Sequence, residues 1–320
     1  MIRRQIIGAA ALAVGALVAA PALAQNQFSI ATGTTGGVYY PLGGAMANLL
    51  SKKVQGWSVT AEATAGSVAN LHMLRDGKAH VALTQADTAY DAIRGEDKFK
   101  DKVSQTRALA IIYPNLVHIV TMEGTGINKF ADIKGKRFST GAPVSGSEVM
   151  AQRMMDLIGL KNSDIKRERL APAESTNAMK DGKLDGYFFA GGPPVAAITD
   201  LAASQGVKMK LVDHRDLVDG MIKAHGPVYA HGKIKAKSYP GQDNDANVMA
   251  IWNILVVPAS MSDQQAYTII KTLWENHGDL VATHKAATDM TAENQKQANS
   301  SVPFHSGAIK FFTEKGIKLQ

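Results

Sequence analysis

Apolar and polar positions along this chain follow two periods that take turns. Residues 28–32 (Phe28-Ser29-Ile30-Ala31-Thr32) alternate with a period of two, which predicts a strand. Residues 39–53 carry apolar side chains at helical spacing and predict a helix. The same alternation continues with strands over 58–64 and 80–84 and helices ending near 76 and over 86–94. Two apolar β-type runs, 108–112 and 117–121, flank Tyr113-Pro114-Asn115. The rhythm then restarts. Strands are expected at 136–140, 165–170, 186–190 and 207–213, with helices at 148–157, 173–180 and 195–204. A long apolar run over 248–257 is closed by Pro258. Helical periodicity returns at 264–277 and 309–315, while the polar, Gly- and Lys-rich stretch 227–247 reads as a surface loop. Strands alternating with helices predict an α/β fold with largely parallel sheet. The two β-rich segments between the halves predict two chain crossings between two domains.

The beginning of the chain changes the picture of where it works. Arg3 and Arg4 precede an uninterrupted apolar run over residues 6–20, then Pro21 and an Ala22-Leu23-Ala24 cleavage pattern. This is the arrangement of a secretory signal peptide over 1–24. The run is shorter than the span of about 20 residues a membrane helix needs. The expected mature protein is exported to the periplasm, soluble and free of thiols. Among the 320 residues 45% are hydrophobic, 20% charged, 29 are Gly and none is Cys. That excludes wholesale disorder, a disulfide framework, a thiolate metal site and a Cys nucleophile. The net charge of +7 falls by two with Arg3 and Arg4 and names no polyanion. Basic residues such as Lys166, Arg167 and Arg169, or Lys233, Lys235 and Lys237, lack interleaved aromatics, so no nucleic-acid partner is expected.

Candidate chemistry sits at four strand-to-helix junctions rich in small polar residues. They are Thr32-Gly33-Thr34-Thr35-Gly36-Gly37 before Val38-Tyr39, Thr64-Ala65-Gly66-Ser67 before Asn70, Thr84-Gln85-Ala86-Asp87, and Gly141-Ala142-Pro143-Val144-Ser145-Gly146-Ser147 before Glu148. Ligands of open α/β sheets gather beyond the carboxyl ends of strands, where glycine permits close approach and free N–H groups attract anions. The structural alternatives are an N-cap at Ser67, a capping box formed by Ser145 and Glu148, and a tight turn at Gly36-Gly37. No dinucleotide fingerprint, P-loop, nucleophile elbow or His-Glu-x-x-His motif is present. Neither a metal nor a cofactor is expected, and the chain is not expected to be an enzyme. The competing functional reading is an exported α/β hydrolase or transferase acting on a small anion.

These junctions resemble the TAXI family, the extracytoplasmic receptors of tripartite ATP-independent periplasmic (TRAP) transporters. The likeness opens at Thr32 to Gly44 and continues through Gly66-Ser67-Val68-Ala69-Asn70-Leu71 and Thr84 to Tyr90. It includes Tyr113-Pro114 with His118, Gly135-Lys136-Arg137, Gly141 to Glu148 and Asp181 to Phe189. It closes with Tyr239 to Asp243 and Pro303 to Ala308, in order along the chain. The resemblance implies a type II periplasmic-binding-protein fold, two α/β lobes joined by a hinge around a central ligand cleft. It implies lobe I over 25–117 and 246–320, lobe II over 118–245, and a monomer. It also implies transient contact with membrane permease subunits and a small carboxylate solute such as glutamate, glutamine or 2-oxoglutarate. Carried over by position, Thr34, Thr35, Gly36, Gly37, Val38, Tyr39, Ser67, Asn70 and Gln85 would line the first lobe. Ser145, Gly146, Ser147 and Phe188 would line the second, with Tyr113 near the hinge. Asn115 and Val144 depart from the family pattern, which often has an acidic residue and a glycine there.

Overall fold

The computed structural model describes residues 26–101 and 103–320, so the leader assigned to 1–24 lies outside the described residues. The chain runs β1 (Asn26–Ala31), α1 (Tyr39–Lys53), β2 (Trp57–Glu62), α2 (Ser67–Arg75), β3 (Val81–Gln85), α3 (Ala86–Arg94) and the long β4 (Thr106–Met122). It continues with β5 (Arg137–Ser139), α4 (Gly146–Leu157), β6 (Lys166–Glu168), α5 (Pro172–Lys180), β7 (Gly186–Gly191), α6 (Ala196–Ala202), β8 (Met209–Leu211) and α7 (Arg215–His225). Then come β9 (Tyr229–Ile234), the long β10 (Ala246–Pro258), α8 (Asp263–Glu275), α9 (His277–Thr283) and α10 (Ser306–Glu314).

The strands form one mixed sheet in the order β2-β1-β3-β10-β4-β7-β5-β6, with β8 beside β4 and β9 beside β10. At one end β1 pairs in parallel with β2 and β3; at the other β5 pairs in parallel with β6 and β7. The antiparallel pair β4–β10 joins the ends. Residues 253–256 of β10 pair with β3, whereas residues 246–251 pair with β9. β4 meets β7 only from Leu116 onward. The two β-rich segments that the sequence pattern placed between the halves are these two strands, and together they pair with strands of both ends of the sheet.

Apolar burial falls into two clusters, the larger of which runs across both lobes and includes Val149, Tyr187, Ile198 and Ile234 of the second. Ile30, Leu42, Met46, Leu71, Leu83 and Ile254 belong to one cluster. Val117, Phe138, Met150, Met154, Phe188 and Met221 belong to the other. Each such side chain contributes roughly 1.5–3 kcal/mol by leaving water.

Three features of the observed chain differ from the pattern reading. The runs 108–112 and 117–121 are a single strand that passes through Pro114, which stands opposite Trp252. Proline lacks a ladder N–H and is tolerated beside irregularities; here the register shifts between Asn253 and Ile254, close to that pair. The presumed surface loop 227–247 contains β9, whose Tyr229 and Ile234 are buried while the residues between them are exposed or half-buried. Its two buried residues are five apart, on opposite faces, so no period of two marks the strand in the sequence. The helix α7 went unpredicted, although Val218 and Met221 at i and i+3 form its buried face and Gly226, at φ 90°, ends it.

Among the described residues no helix is long and apolar enough to cross a membrane.

Candidate functional site

A cavity lies where the two lobes meet, lined by residues of both. The first lobe supplies Gly33, Thr34, Gly37, Val38 and Tyr39 from the β1–α1 junction, Ala65, Gly66 and Ser67 from the β2–α2 junction, and Gln85 from the end of β3. The second lobe supplies Ala142, Ser145, Gly146 and Ser147 before and at the start of α4. Pro172 opens α5, and Phe189, Ala190 and Gly191 end β7. Tyr113 comes from the crossing strand β4. Four helix N-termini, those of α1, α2, α3 and α4, thus point at one small volume. Each helix is at least nine residues long, so its unpaired N–H groups and dipole favour negative charge there.

The lobes touch across this cavity. A Cβ on Gly146 would lie 2.2 Å from Gln85 Oε1 and 2.9 Å from Ser67 Oγ. The Ala69 N–H donates to the Val144 carbonyl at 3.1 Å, and the Ala197 N–H donates to the Gly36 carbonyl at 3.3 Å. Both bonds join one lobe to the other. Val144 adopts φ 57°, a left-handed conformation unusual for a β-branched residue. Its N–H donates to Glu148 Oε2 at 3.0 Å, so both of its backbone polar groups are held.

The polar groups divide into those used by the protein and those left over. Ser67 Oγ accepts from the Gln85 N–H at 3.1 Å, and Ser147 Oγ accepts from the Ala190 N–H at 3.1 Å. Ser145 Oγ caps α4 by accepting from the Glu148 N–H at 3.1 Å. The Tyr39 hydroxyl donates to Asn253 Oδ1, which also accepts from Asn115 Nδ2 at 3.0 Å. Among the described residues, the Gln85 Oε1 and Tyr113 hydroxyl oxygens are buried without any hydrogen-bond partner. The N–H groups of Gly146 and Ser147 likewise have no partner there. Burial pushes the phenols of Tyr39 and Tyr113 above their ordinary range, so both stay neutral. The lining contains no Lys, Arg, Asp or Glu.

Several residues expected at the cavity lie elsewhere. Asn70 is fully buried as a brace: Nδ2 donates to the carbonyls of Thr32 at 2.6 Å and Leu83 at 2.7 Å, and Oδ1 accepts from Thr64 Oγ1 at 2.5 Å. It ties β1 to β3 beneath the loop. Thr35 is exposed, and Gly36 packs against Ala173 of the other lobe, where a Cβ would come to 2.9 Å. Phe188 points into the second core, 1% exposed, and Phe189 is the phenylalanine that reaches the cavity. Successive strand residues face opposite sides, so an assignment off by one selects the wrong face. Ser67 is not an N-cap; Gly66 holds that place, at φ 119°. Ser145 does cap α4, but the Glu148 carboxylate reaches the Val144 N–H instead of completing the box at Ser145. Pro172 escaped the sequence reading because it lies outside the four junctions.

Among the described residues no group of three His, Asp or Glu side chains could hold a metal ion. Apart from Tyr113, the lining comes entirely from strand ends and helix starts. Such a site can orient and enclose a small polar molecule through hydrogen bonds.

Comparison with known proteins agrees with this architecture. Residues 30–316 match the NMT1-like family. A solved protein from Bordetella bronchiseptica RB50 superposes with a TM-score of 0.56 at 15% identity, covering 91% of this chain and 98% of its own. A Listeria monocytogenes protein, provisionally named an L-cystine ABC transporter, superposes with a TM-score of 0.51 at 12% identity, covering 82% of this chain and 96% of its own. At these identities the likeness is one of fold, and it is the two-lobed α/β fold expected from the sequence.

Proposed function

The chain belongs to the NMT1-like family, and from that premise we propose that it is the solute-binding receptor of a transporter, working in the periplasm. One observation carries the reading. The cavity lies between two lobes, and its Tyr113 hydroxyl and Gln85 amide oxygen are buried with no partner among the described residues. Buried polar groups are nearly always paired, so these point to a molecule that enters and pairs with them.

The solute in this proposal is a small carboxylate. Its anionic group would sit at the free N–H groups of Gly146 and Ser147 and at the start of α1 after Gly37. Each helix start contributes from roughly 0.5 kcal/mol when exposed to about 2 kcal/mol when partly buried. Because the lining carries no cationic side chain, a second carboxylate would lack a cationic partner, and an unpaired buried charge is costly. Glutamine, glutamate and 2-oxoglutarate are the solutes to test first; the ammonium of the two amino acids, like a second carboxylate, would depend on the hydroxyl and carbonyl groups of the lining. Tyr39 and Phe189 would cover the apolar part. The lobes would comprise 25–117 with 246–320 and 118–245, hinged at β4 and β10. A solute touching both lobes favours the closed form by its differential affinity. The ordered motif resemblance supports delivery of the solute to a TRAP permease. The fold likeness to a protein named for an ABC transporter supports the broader receptor role.

The test is a thermal-shift panel of amino acids, dicarboxylates and 2-oxo acids on protein unfolded and refolded to strip bound solute. A solute at about 100 times its Kd stabilises by roughly 2.7 kcal/mol. A panel in which no small carboxylate moves the melting temperature sinks the proposal. Chemical conversion of the stabilising molecule would favour an enzyme instead.

A further inference from the structure

Away from the cavity, the two lobes are joined again by a buried polar cluster that the solute does not reach. Arg153 on α4 of the second lobe meets α3 of the first. Its guanidinium donates to Asp91 Oδ2 at 2.6 Å and to Asp87 Oδ2 at 3.4 Å. It also donates to the Tyr229 hydroxyl at 3.0 Å, and that hydroxyl donates to Asp87 Oδ2 at 2.7 Å. Asp97 Oδ2 stands 3.8 Å from the same guanidinium. The side chains of Arg153, Asp87 and Asp91 are 13%, 1% and 7% exposed, so this is not a surface ion pair of negligible strength.

Helix geometry links this cluster to the cavity. Arg153 is seven residues after Gly146, two turns along α4 and on the same face, about 10 Å further down the axis. Asp87 and Asp91 are four apart on one face of α3 and follow Gln85 by two and six residues. The α4 face that presents Gly146 to Gln85 at the cavity therefore presents Arg153 to Asp87 and Asp91 further along. Any opening of the cleft that draws Gly146 away from Gln85 must also break the Arg153 cluster. Arg153 carries one positive charge against the carboxylates of Asp87, Asp91 and Asp97. Separation would return all of these groups to water, which makes the cluster a contact of the closed form.

We propose that Arg153 is a positioning residue for solute capture, clamping α4 onto α3 so that the α4 N-terminus and Gln85 face the same solute. This inference rests on the receptor reading. Arg153 does not touch the solute; it sets how long the closed form lasts. Two groups on separate helices must be met at once, which suits the planar fork of arginine more than the point charge of lysine.

The experiment compares wild type, Arg153→Met and Arg153→Lys, with L-glutamine as the probe. The chain has no Cys, so Lys53→Cys and Lys161→Cys, both exposed, give one unambiguous pair of spin labels whose separation reports lobe closure. In Arg153→Met the closed-distance population should fall at least threefold, with and without L-glutamine. The dissociation rate of L-glutamine should rise about tenfold with little change in association. Arg153→Lys should recover part of each effect. The melting temperature of the solute-free protein should stay near that of wild type, because the clamp is absent from the open form. Identical distance distributions in wild type and Arg153→Met overturn the clamp, as does an equal loss of melting temperature with and without solute. A wild type that does not bind L-glutamine removes this solute from the receptor reading, while the distance distributions of the solute-free proteins still decide the clamp.

Discussion

Gly146 shows how one missing side chain serves the whole site. Its backbone is not in the left-handed region, so a side chain there is not excluded by φ. A Cβ there would instead meet Gln85 Oε1 and Ser67 Oγ, side-chain ends that reach across from the other lobe and would have to shift. Gly146→Ala should therefore fold normally and fail to close. Titration calorimetry with the stabilising solute should show affinity falling by at least about tenfold, or about 1.4 kcal/mol. The free protein should melt within a degree or two of wild type. An unchanged affinity would mean that Gln85 swings aside without cost. The same contact explains why the four junctions were visible in the sequence while the roles within them were not. Thr34, Gly37, Ser67 and Gln85 fall at the cavity because strand ends and helix starts converge there. Asn70 falls beneath it because its amide satisfies carbonyls of two strands, a long-range requirement with no local signature.

At the scale of elements, the start of α4 depends on one carboxylate. Glu148 accepts from Arg167 at 2.9 Å, from both the Nε–H and the Nη2–H of Arg169, the latter at 3.0 Å, and from the Val144 N–H at 3.0 Å. Its side chain is 8% exposed, against 22% and 46% for the two arginines. Removing one partner of a buried ion pair costs roughly 3–5 kcal/mol. The partial exposure of the arginines lowers that to about 2 kcal/mol here. Urea denaturation of Glu148→Ala should show that loss, together with weaker solute binding, because the loop that presents Ser145 and Gly146 is held by this side chain. A loss below about 0.5 kcal/mol, the scale of an ordinary surface substitution, would assign the loop's shape to Ser145 capping alone. Elements with a local signature were legible in advance: α1 and α3 span the residues that periodicity selected. The β4 strand through Pro114 and the β9 strand were not. Each owes its strand character to pairing with β10, a partner well over a hundred residues from β4 and one whose register lies outside any local window.

At the scale of the whole molecule, two buried histidines oppose the fold as pH falls, against buried Asp91, whose raised pKa of about 7 acts in the opposite sense. His118 is fully buried, its Nδ1–H donating to the Leu116 carbonyl at 2.8 Å and its Nε2 accepting from the Tyr239 hydroxyl at 2.7 Å. Burial holds its pKa down at about 3, from an ordinary 6.5. His214 is lowered by burial as well. The unfolded chain takes up protons near pH 6.5 that the folded chain refuses. The stability these residues contribute is therefore present above pH 6.5 and lost as pH falls from there toward 3. Each adds a slope of up to about 1.4 kcal/mol per pH unit in that window. Urea midpoints at pH 7.5 and 5.5 should differ accordingly, and His118→Gln should flatten the difference. An equal slope in His118→Gln would place the acid sensitivity elsewhere.

Sequence by itself was sufficient for the α/β class, the two-crossing plan and the four candidate junctions. Those follow from hydrophobic period, glycine placement and helix-start chemistry, which act within a dozen residues. Tertiary structure alone decided which face of β7 meets the cavity, so that Phe189 and not Phe188 lines it. It also decided that Asn70 braces the sheet, that Arg153 meets Asp87 and Asp91, and that Gly146 faces Gln85 and Ser67. Each of these depends on contacts between residues that are far apart in the chain. The energy of such a contact is set by distance and burial, and neither is a property of neighbours in sequence.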